Sequence, residues 1–166
     1  MTKKILIVVA LAACTREYAA AHSTYAAAQR ELALKDRTNM ELGLLHAVYP
    51  SLQPILRDAF AFAVFPGGAH GYGVLYVDSL PIGPVAILDL QGRTYTEVLV
   101  LRDRRDVEQL EAGRLELVDA PIVFMQEGRD ISTAGIPGTI ALIEQRGGPQ
   151  LGVSVAGQQI VYEPRG

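Results

Sequence analysis

Three histidines, a run of arginines and a few serines are the side chains that could do chemistry in this 166-residue chain. No two of His22, His46 and His70 lie within five residues of each other, so no pair makes a local metal motif. His22 reads as a solvated tether residue and His46 as a packing or surface group on a helix. His70 sits among glycines, where it either meets an anionic headgroup or simply occupies a loop. Arg102-Asp103-Arg104-Arg105-Asp106 is the densest charge run. Arg102, Arg104 and Arg105 could hold a phosphate bidentately. The two aspartates offset most of that field, and the alternative is a solvated helix start with internal ion pairs. Gly-x-Ser-x-Gly is absent, and Ser79, Ser132 and Ser154 have no base or orienting acid close in sequence. Asp103, Asp106, Glu108 and Glu111 read as a solvated helix face. With no constellation to assign roles, the expectation is a protein that is not an enzyme, without cofactor or metal.

The stretch around His70 organises the chain. Two apolar runs, residues 60–65 and 74–77, flank Pro66-Gly67-Gly68-Ala69-His70-Gly71-Tyr72-Gly73. The runs are rich in Phe, Val and Tyr, which suit a buried pleated surface. Glycine adopts positive φ freely and lets another backbone come close. The pattern predicts strand, glycine-lined bend, strand. A phosphate-cradling loop is the competing reading, but such loops open a helix, and neither G-x-G-x-x-G nor a Gly-Lys-Ser/Thr ending is present.

Apolar residues make up 49% and charged residues 20%, so a sizeable core is expected in one domain. The net charge of −3 and the lack of a dense basic stretch argue against a nucleic-acid binder. The single cysteine, Cys14, excludes an internal disulfide. Lys3 and Lys4, the apolar run of residues 5–11 and the small residues Ala12 and Ala13 have the order of an export signal. That run is shorter than the roughly 18–20 residues needed to span a bilayer. Leu11-Ala12-Ala13-Cys14 resembles the lipobox of bacterial lipoproteins. The resemblance implies lipid on Cys14, cleavage before it, and acylation of the new N-terminus. Thr15, where an Asp would favour the inner membrane, leans towards the outer one. The expected divisions are a signal peptide over 1–13, a tether over 14–37 and a domain over 38–166. The processed chain would lose Lys3 and Lys4, leaving 13 basic against 18 acidic residues and a formal charge of −5.

Residues 16–35 are rich in helix formers, with a cap expected at His22-Ser23-Thr24 and a helix from there to Lys35. Thr38-Asn39 is expected to cap a second helix over 40–48, with Leu42, Leu45 and Val48 on one face. A third follows over 51–59, with Leu52, Ile55, Leu56 and Ala59 as its stripe. Pro81-Ile82-Gly83-Pro84 reads as a turn. Residues 85–90 and 95–101 read as strands joined by a hairpin at Gln91-Gly92-Arg93-Thr94. Asp103 or Asp106 should cap a short helix through Leu110, with Gly113 just beyond it. Strands are expected over 115–118, 122–126, 139–144, 151–156 and 159–162, with a loop over 128–138 and a turn at Arg146-Gly147-Gly148-Pro149. The class is therefore α+β: N-terminal helices, then a mainly antiparallel sheet that can close into a barrel, with one short inserted helix.

The order of Tyr49-Pro50, Ala63-Val64-Phe65-Pro66, Gly71-Tyr72-Gly73-Val74-Leu75, Val98-Leu99-Val100-Leu101, Gly113 with Glu116-Leu117, and Gly152-Val153-Ser154-Val155-Ala156-Gly157 resembles the SYLF domain. That family is a lipid-binding module of eukaryotic endocytic proteins and of bacterial lipoproteins. The resemblance covers about residues 38–164. It implies a membrane-attached envelope protein that binds acidic phospholipid; the candidate headgroup contacts, read from the residues themselves, are His70, Arg102, Arg104 and Arg105. The alternatives are a structural lipoprotein docking an envelope protein, and a small hydrolase.

Overall fold

The computed structural model describes residues 2–88, 95–144 and 157–162, with side chains from residue 23 onward. The chain divides into two compact units, Met1–Ala33 and Leu34–Gly166. The second unit begins four residues before the expected domain start at Thr38, because Leu34 already packs against the core.

A single helix, α1 (Thr2–Val48), replaces the tether and the two separate helices expected from the sequence. The capping signals at Ser23-Thr24 and Thr38-Asn39 do not interrupt it. Thr38 is fully buried, and its Oγ1 donates to the Leu34 carbonyl at 2.7 Å, so the hydroxyl bonds back along the helix instead of starting a new one. The buried stripe also differs from the expected one. Leu45 and Tyr49 are buried, whereas Val48 is 40% exposed, because steps of three drift off a 3.6-residue period. Helix α2 (Leu52–Arg57) buries Leu52 and Leu56. Pro54 falls in its first turn, where a missing N–H costs least.

Eight strands follow in one sheet: β1 (Ala61–Phe65), β2 (Tyr72–Val77), β3 (Leu80–Ile87), β4 (Thr96–Leu101), β5 (Leu115–Leu117), β6 (Ile122–Phe124), β7 (Ile140–Glu144) and β8 (Gln158–Tyr162). Their order is β5-β8-β3-β2-β1-β4-β7-β6, and all neighbours are antiparallel except β6 and β7. The sheet curls into a half-barrel rather than a closed one, so the α+β class stands. The short inserted helix is α3 (Arg104–Glu111). Asp103 is its N-cap, accepting from the Arg105 N–H at 3.0 Å, and Gly113 adopts φ +66° just past its end.

The continuous apolar runs of β1, β4 and β7 have one cause: both sheet faces are covered. Ala61, Ala63, Phe65, Leu99, Leu101 and Ile143 share one face with Val107 and Leu110 of α3. Phe62, Val64, Val98, Val100, Ile140 and Leu142 share the other with Leu45, Tyr49, Leu52 and Leu56.

Two expectations fail in the sheet. Pro81-Ile82-Gly83-Pro84 is part of β3, not a turn. The turn is Asp78-Ser79, with φ of +51° and +63°, between the paired residues Val77 and Leu80. Prolines are tolerated there because β8 pairs only with Val85, Ala86 and Ile87, leaving the start of β3 at an edge. The second failure is the β3–β4 hairpin. β2 and β1 stand between those strands, with β1 pairing β2 on one side and β4 on the other. Residues 91–94, 146–149 and 151–156, expected as a turn, a turn and a strand, lie outside the described residues. Ser79→Gly relieves a left-handed L-residue, and should raise stability by about 1 kcal/mol, read from the urea midpoint.

Candidate functional site

The bend between β1 and β2 is a braced structure. Gly68, His70 and Gly71 all have positive φ, and Gly67 is held on both sides. Its carbonyl accepts from the Arg37 guanidinium at 2.6 Å. Its N–H donates to Thr96 Oγ1 at 3.2 Å, and that hydroxyl donates to Glu41 Oε1 at 2.7 Å. Within the bend, the Ala69 N–H reaches the Pro66 carbonyl at 3.1 Å and the Tyr72 N–H reaches the Ala69 carbonyl at 3.0 Å. His70 is exposed at the tip. A strand, not a helix, follows the bend, so the phosphate-loop geometry is absent.

The arginines stand elsewhere. Leu101, just before them, pairs with Ala61 at the start of β1, whereas the bend follows Phe65 at its end. Four residues at roughly 3.3 Å each separate the two ends by about 13 Å. His70 and the arginines are therefore not one site. Nor do the arginines converge. Arg102 donates to the Thr133 and Ile136 carbonyls at 3.2 and 2.8 Å, and to Thr133 Oγ1. That guanidinium fastens the loop over 128–138. Arg104 lies 5.7 Å from the Phe60 ring centroid and makes an exposed 4.0 Å contact to Glu108. Arg105 is exposed. Near them, Phe60, Leu80 and Ile82 are 41%, 65% and 41% exposed. Phe60 precedes Ala61, and the register Ala61–Val77–Leu80 puts Leu80 two strands away at the same end.

Cys14 lies in the backbone of α1, as does His22, but neither side chain is among those described. A cleft of about 260 Å³ beside β6 is lined by Val123, Phe124, Arg129, Asp130 and Ser132, among others, without a histidine. Among the described residues no group of three His, Cys, Asp or Glu could hold a metal, and no helix is long and apolar enough to cross a membrane.

Several polar residues of structural weight escaped the sequence. Glu97 is fully buried on β4, opposite Phe65 and Ile143, a placement that requires its carboxyl to be hydrogen-bonded or neutral. Nothing local in the sequence signals that Arg37 and Glu41 reach the bend. His46 is half-buried, and burial holds its pKa below the usual histidine value. A histidine with a lowered folded pKa favours the fold in its neutral form. Stability should therefore be full above about pH 6.5 and fall as the pH drops below that value. Urea midpoints between pH 8 and 5 should show this decline, and His46→Gln should flatten part of it.

Compared with known proteins, the sequence matches no family model and no curated protein. Fold and surfaces define an α+β half-barrel domain with a braced glycine bend at one end and an apolar, arginine-flanked rim at the other.

Proposed function

We propose that the chain is a lipid-anchored protein of the bacterial cell envelope, held through Cys14 on the periplasmic face of the outer membrane. Its SYLF-like domain rests on acidic phospholipid and performs no reaction. The lipobox-like Leu11-Ala12-Ala13-Cys14 and the ordered motifs over 38–164 support the anchor and the kinship. One structural observation carries the contact surface: Phe60, Leu80 and Ile82 are exposed at the end of the sheet where Arg104 covers Phe60 and Arg105 is exposed. Large apolar side chains beside cations suit the boundary between headgroup and acyl chain, with the arginine stems lying along apolar surface and their heads towards phosphate. Arg104 and Arg105 thus stay as headgroup contacts. His70, at the far end, would belong to a different contact.

The test uses chain lacking acyl groups and vesicles with and without anionic lipid. Binding should appear on anionic vesicles at low salt and weaken at high salt. Arg104→Ala with Arg105→Ala should weaken it about thirtyfold, at about 1 kcal/mol per cation near a charged surface. Phe60→Ala should weaken it at both salt concentrations. No binding at low salt removes the lipid contact. The second reading, a domain that docks an envelope protein, draws on the −5 charge of the processed chain, which repels an anionic bilayer. A reproducible crosslinked protein together with absent vesicle binding would select it.

A further inference from the structure

The Arg37–Gly67–Thr96–Glu41 chain joins two parts of the fold that are distant in sequence. Arg37 and Glu41 lie one helical turn apart on α1, and so project from the same side. One takes the Gly67 carbonyl directly, and the other takes the Gly67 N–H through Thr96. Both main-chain groups of a single bend residue are thus held by one turn of one helix. The bend needs such a hold. His70 carries positive φ without being glycine, a conformation that costs about 1–2 kcal/mol and persists only where the surroundings impose it.

We infer that the Arg37–Glu41 turn of α1 is a positioning device for the glycine bend, so that the exposed tip at His70 is set by the docking of that turn. Anything that binds the tip is then linked to helix docking, and by reciprocity anything that displaces the turn alters the tip. The coupling does not depend on the lipid contact at the opposite rim, and its test needs no ligand.

The test is amide hydrogen exchange on the full chain. The Ala69 and Tyr72 amides, hydrogen-bonded within the bend, report its opening, and the paired amides of β1 and β4 report global stability. Arg37→Ala changes an exposed side chain, so the fold should survive it. The variant should speed exchange at Ala69 and Tyr72 at least about fivefold, the equivalent of one ordinary hydrogen bond, and leave β1 and β4 unchanged. Glu41→Leu should act on the same two amides, whereas Glu41→Gln, which keeps an acceptor oxygen, should leave them near the parent rate. Unchanged bend amides in both Arg37→Ala and Glu41→Leu would overturn the inference. So would acceleration of bend and strand amides by the same factor, which marks a loss of stability alone.

Discussion

Gly73→Ala is expected to be among the most damaging single-methyl additions in the domain. An added Cβ would lie inside contact distance of the Val64 carbonyl oxygen and 2.6 Å from Phe65 Cδ1. Neither neighbour can give way easily. The carbonyl belongs to the β1–β2 ladder, and Phe65 is 1% exposed in the core. The strands must part or the ring must leave its place, and overpacking of this kind costs about 3 kcal/mol, the upper end of its usual range. The urea midpoint should fall accordingly with the slope unchanged. Phe65→Leu should restore part of the loss by freeing the space above Gly73, because contacting residues are not additive. By contrast, Gly128 and Gly138 meet nothing within 4 Å, and substitution there carries only the cost of their φ of +76° and +71°.

Arg102→Ala is expected to lower stability by about 2 kcal/mol, within the range for hydrogen bonds to a charged group. Its guanidinium satisfies two carbonyls and a hydroxyl of the loop that carries Ile131 and Ile136 onto the second core. Two further bonds hold that loop. Thr139 Oγ1 donates to Asp106 at 2.5 Å, and the Ile131 N–H donates to Ser51 Oγ at 2.9 Å. Losing Arg102 therefore loosens one of three ties rather than unfolding the domain. Arg104→Ala should stay within about 0.5 kcal/mol of the parent, since exposed pairs contribute little. Equal effects of the two substitutions on stability would show that Arg102 is not structural.

The contrast between these arginines marks where the sequence stopped being legible. Patterns confined to one element carried over well: the apolar run of β1, the bend glycines, and α3 with Asp103 before it and Gly113 after it. Each is decided by neighbours a few residues apart. Arg102, Arg37 and Glu41 are decided by partners about 30 to 55 residues away, and a charge run looks the same whether it faces water or grips a loop. The continuous helix α1 was missed for a related reason. Thr38-Asn39 has cap chemistry, yet a buried Thr can bond back to Leu34 instead, and only the tertiary contact selects between them. Pro81 and Pro84 signalled a turn because their place beside a partly uncovered strand was not visible. The lost β3–β4 hairpin reflects topology, since sequence neighbours were assumed to be sheet neighbours.

The lipid anchor is the claim on which the proposed placement of the domain depends. Its most direct test is the intact mass of the protein extracted from membranes of its own cells. The expected species begins at Cys14 and carries a diacylglycerol thioether together with an acylated amino group. A species that retains residues 1–13 and an unmodified Cys14 would contradict the account.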